Sequence, residues 1–143
     1  MTVLTPHDGE FEALRPGLLG EPAGRLAAAR DAASALGAVI VLKGPGTVIA
    51  APDAGAYIDI EGTAELGTAG SGDVLTGLLA GVLAGAWADG RRGEETLTRA
   101  AAAAVWLHGQ AGRLAARQGP VVATDVATAI RPAIRAARFG QDA

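Results

Sequence analysis

The sequence predicts an α/β fold in which helices cover a sheet, and three observations carry that prediction. Ala38–Leu42 reads A-V-I-V-L, an apolar, largely β-branched run without alternation, as expected of a strand covered on both faces. Pro52-Asp-Ala-Gly55 separates two further strand-like stretches, Thr47–Ala51 and Ala56–Ile60, as a hairpin turn would. Helical stretches lie on both sides of these strands, residues 21–36 before them and 72–88 and 94–117 after them. With 143 residues, one domain covering the whole chain is the ceiling.

The remaining elements follow in order. Val3-Leu4-Thr5 reads as the end of a short strand, because Pro6 cannot donate to a ladder. His7–Leu14 reads as one or two helical turns, and Arg15–Pro22, with Pro16, Gly17 and Gly20, as a loop. Glu21–Leu36 reads as an amphipathic helix stopped by Gly37, a favoured residue just past a helix end. Gly44-Pro-Gly46 turns the chain into the next strand. Glu61–Ser71 is a loop of small residues feeding a helix from Gly72 to about Ala88. On that helix Gly77, Gly81 and Gly85 share a face, which reads as a surface for close packing against the sheet or a neighbour. A second helix is expected over about Glu94–Arg117. A last one should start with Thr124 or Asp125 as its N-cap, and Pro132 should disturb its continuation. The first visible strand begins at the N-terminus, so the chain reads as the truncated second half of a larger fold.

Composition excludes several functional classes. The formal net charge of −3 gives no reason to expect nucleic acid or an anionic membrane as a partner. There is no cysteine, so disulfides and thiolate metal sites are ruled out. The most apolar segment, Val74–Ala88, is shorter than the roughly 20 residues of a membrane helix and reads as a buried helix in a soluble protein. No signal peptide is expected, since His7, Asp8 and Glu10 stand where a long apolar run would be needed. Eleven arginines accompany a single lysine, Lys43.

Gly67-Thr-Ala-Gly70-Ser71-Gly72-Asp73 runs directly into an apolar helix. Glycines let a turn approach a ligand without Cβ clashes, and the unpaired first amides of a helix attract phosphate oxygens. A carboxylate at the same turn, Asp73, can take a proton from a hydroxyl beside a migrating phosphoryl group. Spacing alone leaves an ordinary glycine turn equally open. Lys43-Gly-Pro-Gly-Thr47 leaves a strand at the end where open α/β sheets bind ligands, and a plain hairpin turn is its other reading. Thr5-Pro-His7-Asp-Gly9-Glu10 has no standard metal-ligand spacing and reads locally as a helix start. His108 reads as a packed or hydrogen-bonded histidine within a helix, and Asp59, Glu61 and Glu65 as solvated loop charges.

Taken together, these segments resemble the ADP-dependent NAD(P)H-hydrate dehydratase family, whose domain has the ribokinase-like, three-layer α/β/α fold. L-T-P-H-D-G-E at Leu4–Glu10 is similar to the family's L-T-P-H-x-G-E. V-L-K-G-P-G-T-V-I-A at Val41–Ala50 resembles its V-x-L-K-G-x-x-T-x-I, and G-T-A-G-S-G-D-V-L-T-G at Gly67–Gly77 its A-T-A-G-S-G-D-V-L-x-G. W-L-H-G-Q-A-G at Trp106–Gly112 also matches. The likeness spans the chain but only the C-terminal half of the family's domain, a sheet with a hairpin and covering helices. Glu61–Leu66 departs from the Gly-Asn-Pro-like turn of many relatives.

The resemblance implies a lyase of nicotinamide-nucleotide repair that uses ADP, or ATP in some relatives, with magnesium. It implies that His7 and Asp73 contact the hydrated NADH or NADPH, with Asp73 as catalytic base. Lys43, Gly44, Pro45, Gly46, Thr47 and Gly72 would line the nucleotide site. The amides of Gly70, Ser71 and Gly72 would form an anion hole. A missing first half would leave sheet edges that need covering, so a homo-oligomer is expected. The lack of cysteine fits a cytoplasmic protein, and the family implies a functional link to an NAD(P)H-hydrate epimerase. A vitamin-precursor kinase of the same superfamily is the first alternative, disfavoured by the paired L-T-P-H-x-G-E and K-G-x-x-T motifs. A fragment active only within an assembly is the second.

Overall fold

The computed structural model describes residues 2–20 and 24–140. β1 (Thr2–Leu4) leads through α1 (Asp8–Leu14), a 3₁₀ turn (Leu18–Gly20) and α2 (Gly24–Leu36) to β2 (Ala38–Leu42). β3 (Thr47–Ala50) and β4 (Tyr57–Asp59) follow, then a second 3₁₀ turn (Ala64–Gly67). α3 (Ser71–Ala88), α4 (Glu94–Ala116) and α5 (Ala123–Phe139) complete the chain. The strands form one sheet in the order β1-β2-β3-β4, with β1 and β2 parallel and the other pairs antiparallel.

Every residue of β2 is buried, as its unbroken apolar run requires. Alternation along the strand then sends side chains into two separate cores. Ile40 and Leu42 join Phe11 of α1 and Ala28, Ala29, Ala32 and Ala33 of α2 on one face. Val39 and Val41 join Leu75 and Leu79 of α3 and Leu97, Ala101, Ala104 and Val105 of α4 on the other. The result is the expected three-layer α/β/α arrangement. Alanine dominates the helical sides, so packing rests on close helix approach rather than on large side chains. A third cluster, Ala111, Ala115, Val126, Ala129 and Ala133, joins α4 to α5.

Several sequence expectations are corrected. Gly77, Gly81 and Gly85 do not pack: all three are exposed, and a Cβ added to any of them would meet nothing within 4 Å. Nor is α3 buried as a whole, since only Ser71, Leu75, Leu79 and Ala86 are shielded. By length and composition α3 also qualifies to cross a membrane, with mean hydropathy 1.3 over 18 residues, although Leu75 and Leu79 sit in the sheet's core. α5 begins earlier than Thr124 or Asp125, with Val122 as N-cap. Asp125 caps from inside the first turn instead, its carboxylate accepting the Val122 N–H at 3.0 Å. Pro132 does not interrupt α5, which continues to Phe139. Its ring stands on the exposed side while Ala129 and Ala133 hold the buried seam, so packing retains the helix despite the missing hydrogen bond. The expected loop over 61–71 contains the second 3₁₀ turn. Helix α2 is present from Gly24, and residues 21–23 of the expected helix lie outside the described ones.

Candidate functional site

Because β1 and β2 are parallel, the turns that leave them emerge at the same edge of the sheet. The Lys43 N–H donates to the Pro6 carbonyl at 2.8 Å, which sets the two turns side by side. His7 is the N-cap of α1, and its Nδ1 accepts the Glu10 N–H at 3.2 Å. Glu10 answers by accepting the His7 N–H at 2.7 Å. With Nδ1 acting as acceptor, the proton of a neutral His7 ring sits on Nε2. Glu10 also reaches Lys43 Nζ at 3.5 Å. Hydrogen bonding from the His7 backbone, aided by the Lys43 charge, holds the Glu10 carboxyl below the usual range. Glu10 therefore ties the histidine turn to the lysine turn.

The Lys43–Thr47 turn is shaped from within and clamped from behind. Thr47 Oγ1 donates to the Gly44 carbonyl at 3.0 Å and accepts the Gly44 N–H at 3.3 Å. Arg25 of α2 donates to the carbonyls of Lys43 at 2.8 Å and Leu42 at 3.3 Å, while Asp8 holds its other nitrogen at 2.6 Å. Gly44 has φ +149, and a Cβ there would lie 2.7 Å from the Arg25 guanidinium. The backbone conformation favours glycine, and a side chain there would also have to push the guanidinium off the Leu42 and Lys43 carbonyls.

The third segment is the glycine turn ahead of α3. Gly70 caps the helix with φ +85, a left-handed conformation that favours glycine. The Ser71 N–H donates to the Thr68 carbonyl at 3.2 Å, and the buried Ser71 hydroxyl donates to the Leu66 carbonyl. Ser71 thus spends its polar groups on the turn and adds no free amide to the expected anion hole. The N–H groups of Gly70 and Gly72 have no protein partner among the described residues. Asp73 follows in the first turn of α3, exposed.

These segments converge on one cavity of about 800 Å³. His7, Lys43, Gly44, Pro45, Gly46 and Thr47 line one part of it. Gly70, Ser71, Gly72 and Asp73 line another, so the residues to which the resemblance assigns a site role share this cavity. The arrangement joins two free amides, one ammonium and one carboxylate at a helix N-terminus. That combination can hold a phosphate chain and accept a proton beside it.

Other lining groups were not legible as such. His108 of α4 is buried at 6% exposure, its Nε2 has no hydrogen-bond partner, and it also lines the cavity. Burial lowers its pKa below the ordinary value, opposed by the backbone of Ser71 and reinforced by the Lys43 charge. Asp59, read as a solvated charge, instead lines the cavity at the end of β4, and burial raises its pKa. Glu61, also read as solvated, is ion-paired to Arg113. Gly109 and Gly112 explain much of the W-L-H-G-Q-A-G stretch. A Cβ at Gly109 would lie 3.3 Å from the Glu61 carbonyl oxygen, and one at Gly112 would lie 2.7 Å from Leu66. α4 thereby seats the loop that delivers the glycine turn.

Known proteins share this architecture. The chain matches the NAD(P)H-hydrate dehydratase family over residues 1–134. A bifunctional NAD(P)H-hydrate repair enzyme of Synechocystis is 41% identical over 124 residues, covering 87% of this chain and 22% of that protein. An ADP-dependent (S)-NAD(P)H-hydrate dehydratase of Neisseria meningitidis is 38% identical over 134 residues, covering 93% of this chain and 43% of that protein. Among solved structures, an ADP/ATP-dependent NAD(P)H-hydrate dehydratase from Bacillus subtilis, co-crystallised with ATP and Mg²⁺, superposes with a TM-score of 0.78 at 31% identity. That superposition covers 93% of this chain and 48% of the Bacillus chain. The chain therefore spans about half the length, or less, of these relatives. A family match over nearly all its residues, a shared fold and one cavity holding the motif residues place the chain in the NAD(P)H-hydrate dehydratase family.

Proposed function

We propose that this chain carries the phosphoryl-transfer centre of an ADP- or ATP-dependent dehydratase that restores NADH or NADPH from its S-form hydrate. The free Gly70 and Gly72 amides, with Lys43 and Asp73 beside them in one cavity, are the observation that carries this reading. The nucleotide's phosphates would lie against those amides and the Lys43–Thr47 turn. Asp73 would take the proton of the hydroxyl on the hydrated pyridine ring. The freed oxygen attacks the terminal phosphoryl group, and ADP leaves as AMP, or ATP as ADP. Phosphate then departs from the ring with the nitrogen lone pair behind it, and loss of a proton from the adjacent carbon completes the double bond. His7 would contact the hydrated cofactor.

Magnesium fits this lining as an ion carried mainly on the phosphates. No group of three metal-ligating side chains occurs among the described residues, and the one carboxylate on the glycine turn is Asp73. When bound, it would neutralise phosphate charge. The reading carries with it a cytoplasmic, oligomeric protein working alongside an NAD(P)H-hydrate epimerase.

An assay of the purified chain with hydrated NADH and ADP or ATP tests the proposal. The absorbance of the reduced nicotinamide should return only when nucleotide is present, and Asp73→Asn should slow that return by about 10²–10⁴-fold. Nucleotide hydrolysis with a stable phosphorylated product would instead indicate a small-molecule kinase. Undiminished recovery in Asp73→Asn would remove the assigned base.

A further inference from the structure

α4 and α5 meet along a seam of Ala111, Ala115, Val126, Ala129 and Ala133. Beside it runs a second groove of about 960 Å³, walled by Arg113 of α4, by Arg117 just past its end, and by Arg131 and Arg135 of α5. Its one acidic lining residue, Glu61, is paired with Arg113. Arg117, Arg131 and Arg135 have no acidic partner among the described residues. A chain of net charge −3 thus gathers four guanidinium groups around one carboxylate.

Packing does not demand this. Like charges four residues apart oppose helix formation, and Arg131 and Arg135 on α5 are such a pair. The helix dipole accounts for cations near the C-terminus of α4, but not for Arg131, midway along α5. Glu61 accounts for Arg113 and the helix dipole for Arg117, which leaves the exposed pair Arg131 and Arg135 facing the groove with no structural partner among the described residues.

The chemistry of the wall indicates what it takes. Guanidinium forks match pairs of phosphate oxygens, and several of them facing one groove suit consecutive phosphates better than an isolated carboxylate. Trp106, 39% exposed, lines the same groove two turns before Arg113 and offers an aromatic face. We propose that the α4–α5 groove binds a small ligand bearing two or more consecutive phosphate groups, with Trp106 available to a ring attached to them. This site is separate from the glycine-turn cavity and does not depend on the reaction assigned there.

Calorimetric titration with inorganic tripolyphosphate tests the idea, using the unaltered chain, Lys43→Ala and the double variant Arg131→Gln/Arg135→Gln. Saturable binding should survive Lys43→Ala and weaken by roughly ten-fold or more in the double variant, as expected on losing charge-assisted hydrogen bonds. Circular dichroism checks that α5 stays helical. In a Lys43→Ala, Trp87→Phe background, ATP should quench Trp106 fluorescence with the same midpoint as calorimetric binding of ATP to that protein, a readout that needs no arginine substitution. Unchanged binding in the double variant together with no Trp106 response overturns the proposal. So does an equal response to sulfate, or binding that vanishes between about 50 and 200 mM salt, since either signifies diffuse counter-ion attraction. Preference for an acidic peptide over tripolyphosphate would overturn it as well.

Discussion

The Lys43 ammonium lies 3.2 Å from the point where a Cβ would project from Gly72. The only lysine of the chain is therefore held against the first turn of α3, where the helix dipole already favours an anion. A methyl group at position 72 must displace that ammonium. The far end of a lysine moves at little cost, so Gly72→Ala should barely change stability. It should weaken ADP binding by about ten-fold, the loss of one charged contact, and calorimetric titration with ADP checks this. Unaltered affinity would show that the lysine and the glycine turn do not act on the same ligand.

The Arg25 clamp makes a separate claim, about stability. Gly44→Ala forces a side chain into φ +149 and against the guanidinium 2.7 Å away. The expected cost is about 1–3 kcal/mol. In an Arg25→Ala background the steric part disappears, so the same substitution should cost less. Urea denaturation of the four proteins in that cycle reads the difference, and an equal cost in both backgrounds would leave only the backbone explanation.

His108 predicts a pH dependence. Its folded pKa is lowered from 6.5 by burial, so the unfolded chain binds more protons than the folded one between the two values. Stability should therefore fall as pH drops below the unfolded value, and the loss should continue until the folded pKa is passed. Thermal melts between about pH 7.5 and 5.5 should show this slope, and His108→Gln should flatten it. A slope that survives the substitution would assign it to other groups.

The exposed glycines of α3 predict stabilisation. A Cβ at Gly81 meets nothing, while glycine within a helix costs about 0.8–1.0 kcal/mol relative to alanine. Gly81→Ala should raise the melting temperature accordingly. A fall would mean that this face is packed in solution against something outside the described chain.

Where a signal was local, the sequence carried it. The A-V-I-V-L run, the turns and the helix positions follow from periodicity and from glycine and proline placement, and the structure reproduces them. The motif residues were legible because each sits in a turn directly after a strand or before a helix. Relationships distant in sequence were not. Arg25 clamps a turn 17 to 18 residues away, and Glu61 meets Gln110 across 49 residues; no spacing announces either contact. The Gly77, Gly81 and Gly85 face misled because a small-residue stripe signals packing only when a partner surface lies opposite it. Pro132 misled because the buried Ala129 and Ala133 outweigh one missing hydrogen bond. No local pattern marks Asp59 as cavity-lining or Glu61 as paired, because the surroundings of a loop carboxylate depend on which helix closes over it.

Phosphate recognition at the tip of α3 is the property on which catalysis by this chain depends. Amide chemical shifts followed during titration with ADP test this directly. Saturable changes should be largest at Gly70, Gly72 and Asp73 and along Lys43–Thr47, with Pro45 silent because it has no N–H. If those amides stay unmoved at saturating nucleotide while signals elsewhere shift, the glycine turn is a structural corner and the catalytic reading is wrong.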